Sequence, residues 1–224
     1  MKSLLALLLA FSLQAQQMLP LSSSCDQVVT HGGYTLCYSE KHEQARWVAY
    51  DLTVKNLMCK GRRKNNFRHD TDIVTGSATI MDYFRSGYDR GHLAPVADFK
   101  CDMPSTFFMS NISPQVPMFN RGIWRRLEGW VRDKAGELRI VTGPVLSDSL
   151  KTIGYNEVSV PDYYYKVVLG SSIAIGFIMP NKASIRRVES FAVSIDSVEK
   201  FVDMDFYADL PDSIEVFLES VGRM

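Results

Sequence analysis

The sequence predicts an α+β fold with a central mixed or antiparallel sheet and flanking helices. Segments with strand and helix patterns interleave without the strict strand–helix–strand alternation of a parallel sheet. Residues 163–169 and 173–178 have strand patterns on either side of Gly170-Ser171-Ser172, which predicts an antiparallel hairpin. No repeat, low-complexity tract or linker divides residues 25–220, so we expect a single domain.

Aromatic, β-branched or apolar content predicts three further strands, at residues 47–54, 106–110 and 138–142. The polar and basic residues 55–69 indicate a surface loop, and residues 73–84 fit either a helix or a strand. Two short helices are predicted at residues 194–202, with Ser194 as the cap, and at residues 212–220.

The longest predicted helix covers residues 121–134. Its apolar residues recur at helical spacing and form one stripe: Ile123, Trp124, Leu127, Trp130 and Val131. Asn120 stands just ahead of this stripe, where it suits an N-cap or the loop that enters the helix.

The charges are balanced in total but not along the chain. The sequence has 25 basic and 25 acidic residues, which excludes a protein that binds nucleic acid by bulk positive charge alone. With 46% hydrophobic and 22% charged residues, it is neither disordered nor fibrous. Residues 55–68 nevertheless hold six basic residues and no acidic ones, whereas residues 189–224 hold nine acidic and two basic. We therefore expect a basic cleft on an otherwise acidic body.

The first residues predict a secretory signal peptide at 1–15. Lys2 precedes an apolar run at residues 4–13, and Ala15 offers a small residue for cleavage. The protein is then exported, and is periplasmic or secreted. Because the run is shorter than the roughly 20 residues that a membrane-spanning helix needs, no stable membrane insertion is expected. A buried N-terminal helix and a lipoprotein are the weaker alternatives.

The cysteines fit an oxidising compartment. Cys25, Cys37, Cys59 and Cys101 allow three pairings, and the sequence does not choose among them. We favour Cys25–Cys37, which closes a short loop, together with Cys59–Cys101, and free thiols are the alternative. In this interpretation residues 16–44 are a disulfide-linked N-terminal extension, and the main domain occupies residues 45–220.

The densest chemical segment is the run from Tyr88 to Pro95. Arg90 and His92 are two residues apart, so in an extended chain they point to the same face. Gly91 between them permits close approach of the backbone to another group. Imidazole accepts a proton at neutral pH, and guanidinium recognises phosphate with two hydrogen bonds. A surface pair without function is the alternative for such a His and Arg in isolation.

A second cluster lies around the predicted helix. Asn120 offers an uncharged oxygen to a hard cation such as Mg²⁺, which prefers oxygen ligands. Glu128 and Arg132 are four residues apart on one helical face, where an ordinary salt bridge is the alternative to a functional role.

These runs together resemble the DNA/RNA non-specific endonucleases, sugar-non-specific nucleases of the ββα-metal class. The resemblance rests on the segments 88–95 (YDRGHLAP), 110–115 (SNISPQ) and 120–128 (NRGIWRRLE), and extends over roughly residues 45–220. It implies a ββα-metal motif and a metal-dependent endonuclease that hydrolyses DNA and RNA with little sequence specificity. A nucleic-acid-binding module of the same fold without hydrolysis is the alternative. Homodimers occur in the family, and the sequence leaves a homodimer open.

The resemblance also assigns roles to individual residues. It makes His92 the general base that deprotonates the attacking water, and Asn120 the direct ligand of Mg²⁺, with Mn²⁺ as a substitute. Arg90 is implied to lie close to the scissile phosphate. Asn111 is implied to orient either the histidine or the phosphate.

The helix is implied to carry two further catalytic residues. Glu128 matches an acidic residue that acts through metal-bound water, and Arg132 an arginine that steadies the transition state. In a regular helix Asn120 and Glu128 would be about 12 Å apart along the axis. Both reach one metal ion only if Asn120 sits in the loop before the helix.

Other residues are predicted to support the site or to hold the substrate. Asp89 and Gly91 are assigned a structural role in the loop. Phosphate contacts are expected from Arg62, Arg63, Lys64, Arg121 and Arg125. The remaining histidines, His31, His42 and His69, have no metal-ligand spacing and are predicted to be surface residues.

Overall fold

The computed structural model describes residues 19–20, 25–134 and 136–207 of the chain. The strands in this part are β1 (Gln27–His31), β2 (Tyr34–Ser39), β3 (Gln44–Leu52), β4 (Asp89–His92), β5 (Ile112–Gln115), β6 (Leu138–Pro144), β7 (Thr152–Ile153), β8 (Val158–Ser159), β9 (Tyr163–Gly170), β10 (Ile173–Pro180) and β11 (Ala192–Val193). The α-helices are α1 (Val54–Met58), α2 (Arg125–Asp133) and α3 (Ile195–Val202). Short 3₁₀ turns and one π-helical turn, Phe119–Trp124, complete the described elements.

Seven strands form one antiparallel sheet in the order β1-β2-β3-β6-β9-β10-β11. This confirms the predicted α+β fold with a central antiparallel sheet. The predicted hairpin is present as β9 and β10, which pair from Gly170 with Ile173 at the turn. Ser194 caps α3 as predicted, because its side chain accepts a hydrogen bond from the Ser197 amide.

The two faces of the sheet bury different helices because side chains alternate along each strand. On one face, Val48 of β3 belongs to the same buried cluster as Leu127 and Val131 of α2. On the other face, Trp47 belongs to a second buried cluster with Val198 of α3. The predicted apolar stripe of the long helix therefore faces the sheet and leaves the opposite side of α2 to polar residues.

The residues predicted as an N-terminal extension supply β1 and β2, which continue the main sheet beyond β3. Disulfides join Cys25 to Cys37 and Cys59 to Cys101, which confirms the favoured pairing. The signal peptide predicted at residues 1–15 and the helix predicted at 212–220 lie outside the described residues. Among the helices that are described, none is long and apolar enough to cross a membrane.

Two predicted elements differ in kind from the structure. Residues 106–110 are not a strand. They lie in two 3₁₀ turns, Met103–Phe107 and Met109–Asn111, with Phe108 between them in an isolated bridge to Arg68. The segment is apolar because Phe107 and Met109 are fully buried, and burial alone does not select an extended chain. The loop predicted at residues 55–69 begins inside α1, whose N-terminus is capped by Thr53.

The functional motif lies outside the large sheet. The short strands β4 and β5 pair antiparallel with each other, and the π-helical turn and α2 follow directly in the chain. This ββα unit places the DRGH segment, which forms β4, against the start of the long helix.

Candidate active site

A cleft of about 500 Å³ lies between the ββα unit and the loop that holds Arg63. It brings together most of the residues predicted for the site: Arg63, Asp89, Arg90, His92, Asn120, Arg121, Arg125, Glu128 and Arg132. Side chains from three separate stretches of sequence thus meet in one place. Arg62 and Lys64 are not among them and line a different cleft.

His92 ends β4 in an aromatic surrounding. Its ring centroid is 5.4 Å from that of Phe67 and 5.1 Å from that of Phe107. The Nε2 atom is shielded from solvent and has no hydrogen-bond partner in the described part of the chain. Burial, assisted by the positive charges of Arg63 and Arg90, lowers the pKa of His92 from 6.5 to about 3. The imidazole is therefore neutral near pH 7, so one of its two ring nitrogens carries no proton and can accept one.

Gly91 is required because β4 packs directly on a side chain of β5. A Cβ atom at this position would overlap the side chain of Gln115. Gly91 pairs with Ser113 across the two strands, and a larger residue at this position would have to displace the buried Gln115 side chain. The two strands therefore approach each other closely at Gly91.

Asp89 fixes the orientation of Asn120. The Asn120 Nδ2 atom donates to Asp89 Oδ2 at 2.9 Å, and Arg121 donates to both oxygens of the same carboxylate. A carboxylate only accepts hydrogen bonds, so it must face the amide nitrogen and leave the Asn120 carbonyl oxygen free. Asp89 thus links β4 to the residues at the start of the long helix.

The helix is kinked between Asn120 and Glu128. Asn120 was predicted to be an N-cap or a loop residue, but it lies within the π-helical turn Phe119–Trp124. The backbone of Gly122, at φ −103° and ψ −109°, breaks the regular helical path there. Asn120 and Glu128 both line the cleft, and the kink lies between them in the sequence.

Behind the cleft lies a buried polar cluster that the sequence did not predict. Arg132 Nη1 pairs with the buried carboxylate of Asp98 at 2.7 Å, and Tyr50 donates to the other Asp98 oxygen at 2.9 Å. Within the described residues, Arg132 therefore pairs with Asp98, and the Glu128–Arg132 salt bridge of the alternative interpretation is not formed.

Lys166 belongs to the same cluster and is fully buried. Its Nζ atom has no hydrogen-bond partner among the described groups and lies 5.1 Å from the centroid of the Trp124 ring. Burial raises the pKa of Glu128, and the Lys166 ammonium opposes that rise. The available signal was one lysine within an otherwise apolar and aromatic strand, residues 163–170.

Asn111 is placed differently from the other predicted residues. It is completely buried, and its side chain bonds three backbone groups: the Ala94 amide, the Ala94 carbonyl and the Thr106 carbonyl. These contacts hold the segment that follows His92. Asn111 therefore acts on the backbone next to the histidine, and it does not line the cleft.

Two of the histidines predicted to be on the surface are buried, which corrects that prediction. His42 is bonded to Ser159, and His31 lies between two carboxylates, 2.7 Å from Asp70 and 3.7 Å from Asp72. His31, Asp70 and Asp72 are close enough to form a possible three-ligand metal group. None of them lines the active-site cleft, and their spacing in the sequence gave no sign of the contact. His69 is exposed as predicted.

A neutral imidazole beside several guanidinium groups and a free amide oxygen is a site suited to phosphodiester chemistry, carried here on a ββα unit of an α+β domain. A model of the DNA/RNA non-specific endonuclease family matches residues 15–213. The chain therefore belongs to the DNA/RNA non-specific endonuclease family and is an enzyme of that class.

Curated relatives and a solved structure agree with this membership. A nuclease of Syncephalastrum racemosum is 34% identical over 220 residues, covering 83% of this chain and 69% of the relative. Nuclease C1 of Cunninghamella echinulata var. echinulata is 34% identical over 201 residues, covering 78% and 80%. Mitochondrial endonuclease G of Homo sapiens is 33% identical over 199 residues, covering 78% and 67%. The crystal structure of an EndoG/EndoGI complex contains a chain with a TM-score of 0.76 and 30% identity, covering 84% of this chain and 88% of that one.

Proposed function

We propose that this protein hydrolyses the phosphodiester bonds of DNA and RNA with little sequence preference, using His92 as general base and a divalent cation held by Asn120. The observation that carries the proposal is the state of His92. Its imidazole is neutral near pH 7, and it lines a cleft together with five arginines. A base next to phosphate-binding groups is what activation of water against a phosphodiester requires.

Four side chains of the cleft have separate roles in the proposed hydrolysis. His92 takes the proton from the attacking water, a contribution on the order of 10²–10⁴ in rate. Arg63 and Arg90 line the same cleft and attract the phosphate. Arg132, held by Asp98 at 2.7 Å, presents a fixed positive charge to the phosphate oxygens as their charge increases.

The residues present fit a hard divalent cation. Since Asp89 engages the amide nitrogen of Asn120, the carbonyl oxygen is free and lies on the cleft that also holds Glu128. Mg²⁺ prefers oxygen ligands and keeps several waters, so one amide oxygen and a nearby carboxylate suit it. When bound, such a cation would supply positive charge that stabilises the leaving oxygen.

Tolerance of many sequences follows from the kind of contacts available. The cleft offers arginine side chains, which bind phosphate, and phosphate contacts carry no sequence information. The family match and the nuclease relatives support nucleic acid as the substrate.

Replacement of His92 by alanine tests the assignment of the base. His92→Ala should abolish cleavage of plasmid DNA and of RNA, while binding measured with EDTA stays near the wild-type value. His69→Ala is the matched control, because that histidine is exposed and outside the cleft. Cleavage by the wild type should stop with EDTA and return with Mg²⁺ or Mn²⁺. Full cleavage by His92→Ala would show that His92 is not the base. Cleavage that EDTA does not affect would show that no divalent cation takes part.

The proposed location is outside the cytoplasm, in a periplasm or the medium. The N-terminal signal pattern and the two disulfides support it. Mass spectrometry of the protein recovered from cells should show an N-terminus just after Ala15. A chain that stays in the cytoplasm with residues 1–15 intact would contradict this location.

A further inference from the structure

A second basic groove lies next to the active-site cleft, on the other side of one chain segment. We call residues 60–67 the basic strap. Alternate residues of the strap face opposite sides: Arg63, Asn65 and Phe67 line the active-site cleft, and Lys60, Arg62, Lys64 and Asn66 line a separate groove of about 320 Å³. Such alternation is the pattern of an extended chain. The basic residues predicted to form one groove are therefore divided between two.

The strap is fixed at both ends. At the start, the Cys59–Cys101 disulfide ties it to the segment that carries Lys100. At the end, the Arg68 amide donates to Phe107 at 3.1 Å, and the Arg68 carbonyl accepts from Met109 at 2.9 Å. The division of side chains between the two grooves is therefore built into the fold.

The strap also packs closely on its support. A Cβ atom at Gly61 would lie 2.6 Å from the Lys100 backbone oxygen, so a glycine allows the two segments to touch. Lys100 donates to the Leu57 carbonyl at 3.0 Å and lines the same groove.

The groove carries strong positive charge without compensation. Lys60, Arg62 and Lys64 are exposed, and Lys100 adds a fourth cation. No carboxylate lines the groove, and no described acidic residue forms an ion pair with these four side chains. Such a surface favours the binding of a nucleic acid, because each phosphate that it neutralises releases condensed counterions.

We propose that the second basic groove binds the phosphate backbone of the nucleic acid beyond the scissile phosphate. This inference rests on the proposed function, since it takes the occupant of the cleft to be a nucleic acid. The strap then separates the phosphate being cleaved from flanking phosphates of the same substrate. A dinucleotide has a single phosphodiester, which the cleft occupies, so it gains nothing from the groove. Long substrates are bound and cleaved in preference to short ones for this reason.

The triple variant K60Q/R62Q/K64Q tests the groove. Its matched control is K151Q/K182Q/K200Q, which removes three exposed lysines that line neither cleft. Binding of a DNA duplex is measured in EDTA over a range of salt concentrations, and cleavage is measured on a long duplex and on a dinucleotide. Thermal unfolding of each variant checks that it is folded.

The groove variant should lower the slope of log affinity against log salt by about 2 to 3, since each lost phosphate contact removes about 0.9. It should lower kcat/KM for the long duplex while leaving dinucleotide cleavage unchanged, and the control variant should leave all three values unchanged. Equal effects of the two triple variants would overturn the proposal, because bulk charge would then explain them. Equal loss of dinucleotide and duplex cleavage would also overturn it.

The two proposals fail in different ways. If the wild-type protein cleaves neither substrate, the proposed function is wrong, and the binding slopes still decide whether the groove holds nucleic acid. If the wild type cleaves but the groove variant binds duplex with the wild-type salt slope, only the groove is wrong. If the groove binds acidic peptides in place of nucleic acid, the groove variant would bind the duplex with the wild-type salt slope.

Discussion

The Asp89 carboxylate accepts a hydrogen bond from the Asn120 amide nitrogen at 2.9 Å, and this single contact determines which atom of Asn120 is free. Asp89 belongs to β4 and Asn120 to the π-helical turn, so the bond also joins the strand of the DRGH segment to the start of the long helix. The two halves of the ββα unit are thereby held together at the point where the cation is proposed to bind.

Asp89→Asn should weaken the binding of Mg²⁺. An amide at position 89 both donates and accepts, so Asn120 is no longer forced to keep its oxygen free. Loss of such an orienting partner lowers metal affinity by about 10–100-fold. The Mg²⁺ concentration that gives half-maximal cleavage should rise by this factor. Asp51→Asn is the control, since Asp51 pairs with Arg139 away from the cleft. A half-maximal concentration equal to that of the wild type would contradict the role of Asp89.

Arg63→Gln should move the pH dependence of cleavage. Burial, with the charges of Arg63 and Arg90, lowers the pKa of His92 to about 3. Removal of one positive charge makes protonation easier, so the pKa of His92 rises and the acid limb of kcat/KM shifts to higher pH. NMR titration of the imidazole provides a direct readout. An acid limb that stays in place would mean that Arg63 does not act on His92 through its charge.

The same pKa makes His92 a source of acid sensitivity in the fold. The unfolded chain binds a proton at His92 near pH 6.5, whereas the folded chain does so near pH 3. Between these values the unfolded state binds more protons, so stability is lost as the pH falls through this window. His92→Gln should therefore flatten the dependence of the free energy of unfolding on pH between about 6.5 and 3. Urea unfolding at several pH values measures this, and parallel curves for the two proteins would show that His92 is not the source.

Lys166→Met should change the pH profile without weakening the fold. The buried ammonium of Lys166 has no hydrogen-bond partner among the described groups, and burial lowers its pKa. An apolar side chain of similar length removes that desolvation cost, so the free energy of unfolding at neutral pH should stay equal or rise by about 1–3 kcal/mol. The positive charge of Lys166, which opposes the rise in the pKa of Glu128, is lost at the same time. The pKa of Glu128 then rises further, and the pH at which this carboxylate ionises moves upward.

Two measurements separate these effects. Thermal unfolding of Lys166→Met reports stability, and kcat/KM against pH reports the ionisation of Glu128. A lower melting temperature together with an unchanged pH profile would mean that Lys166 is a structural residue with no influence on Glu128.

The sequence predicted residues of the site that belong to contiguous motifs, and it missed those that meet only through tertiary packing. His92, Asn120 and Glu128, which line one cleft, were predicted because each stands within a recognisable run. Asp98 and Lys166 were not found, because their contact with the long helix joins three segments that no short pattern connects. His31 was misplaced for the same reason, since its partner Asp70 is 39 positions away. The kink at Gly122 was also missed, because apolar spacing of about 3.6 residues does not reveal a local break in the helical path.

Asn111→Ala should destabilise the fold and reduce cleavage together. The substitution leaves the Ala94 amide, the Ala94 carbonyl and the Thr106 carbonyl without their side-chain partner in a fully buried place. Each unsatisfied buried group costs about 1–3 kcal/mol, so a loss of roughly 3 kcal/mol or more is expected. Because Ala94 is two residues beyond His92, the imidazole should also lose its fixed position and kcat should fall.

Asn111 could bind the phosphate directly or order the backbone, and the two roles predict different results for Asn111→Ala. A side chain that only held the phosphate would lower activity when removed, yet it would leave the urea midpoint unchanged. A side chain that only orders the backbone lowers the midpoint, and kcat of the folded fraction falls with no change in the salt dependence of DNA binding. The buried position and three backbone bonds favour the second outcome, since no atom of Asn111 is exposed to a ligand in the cleft.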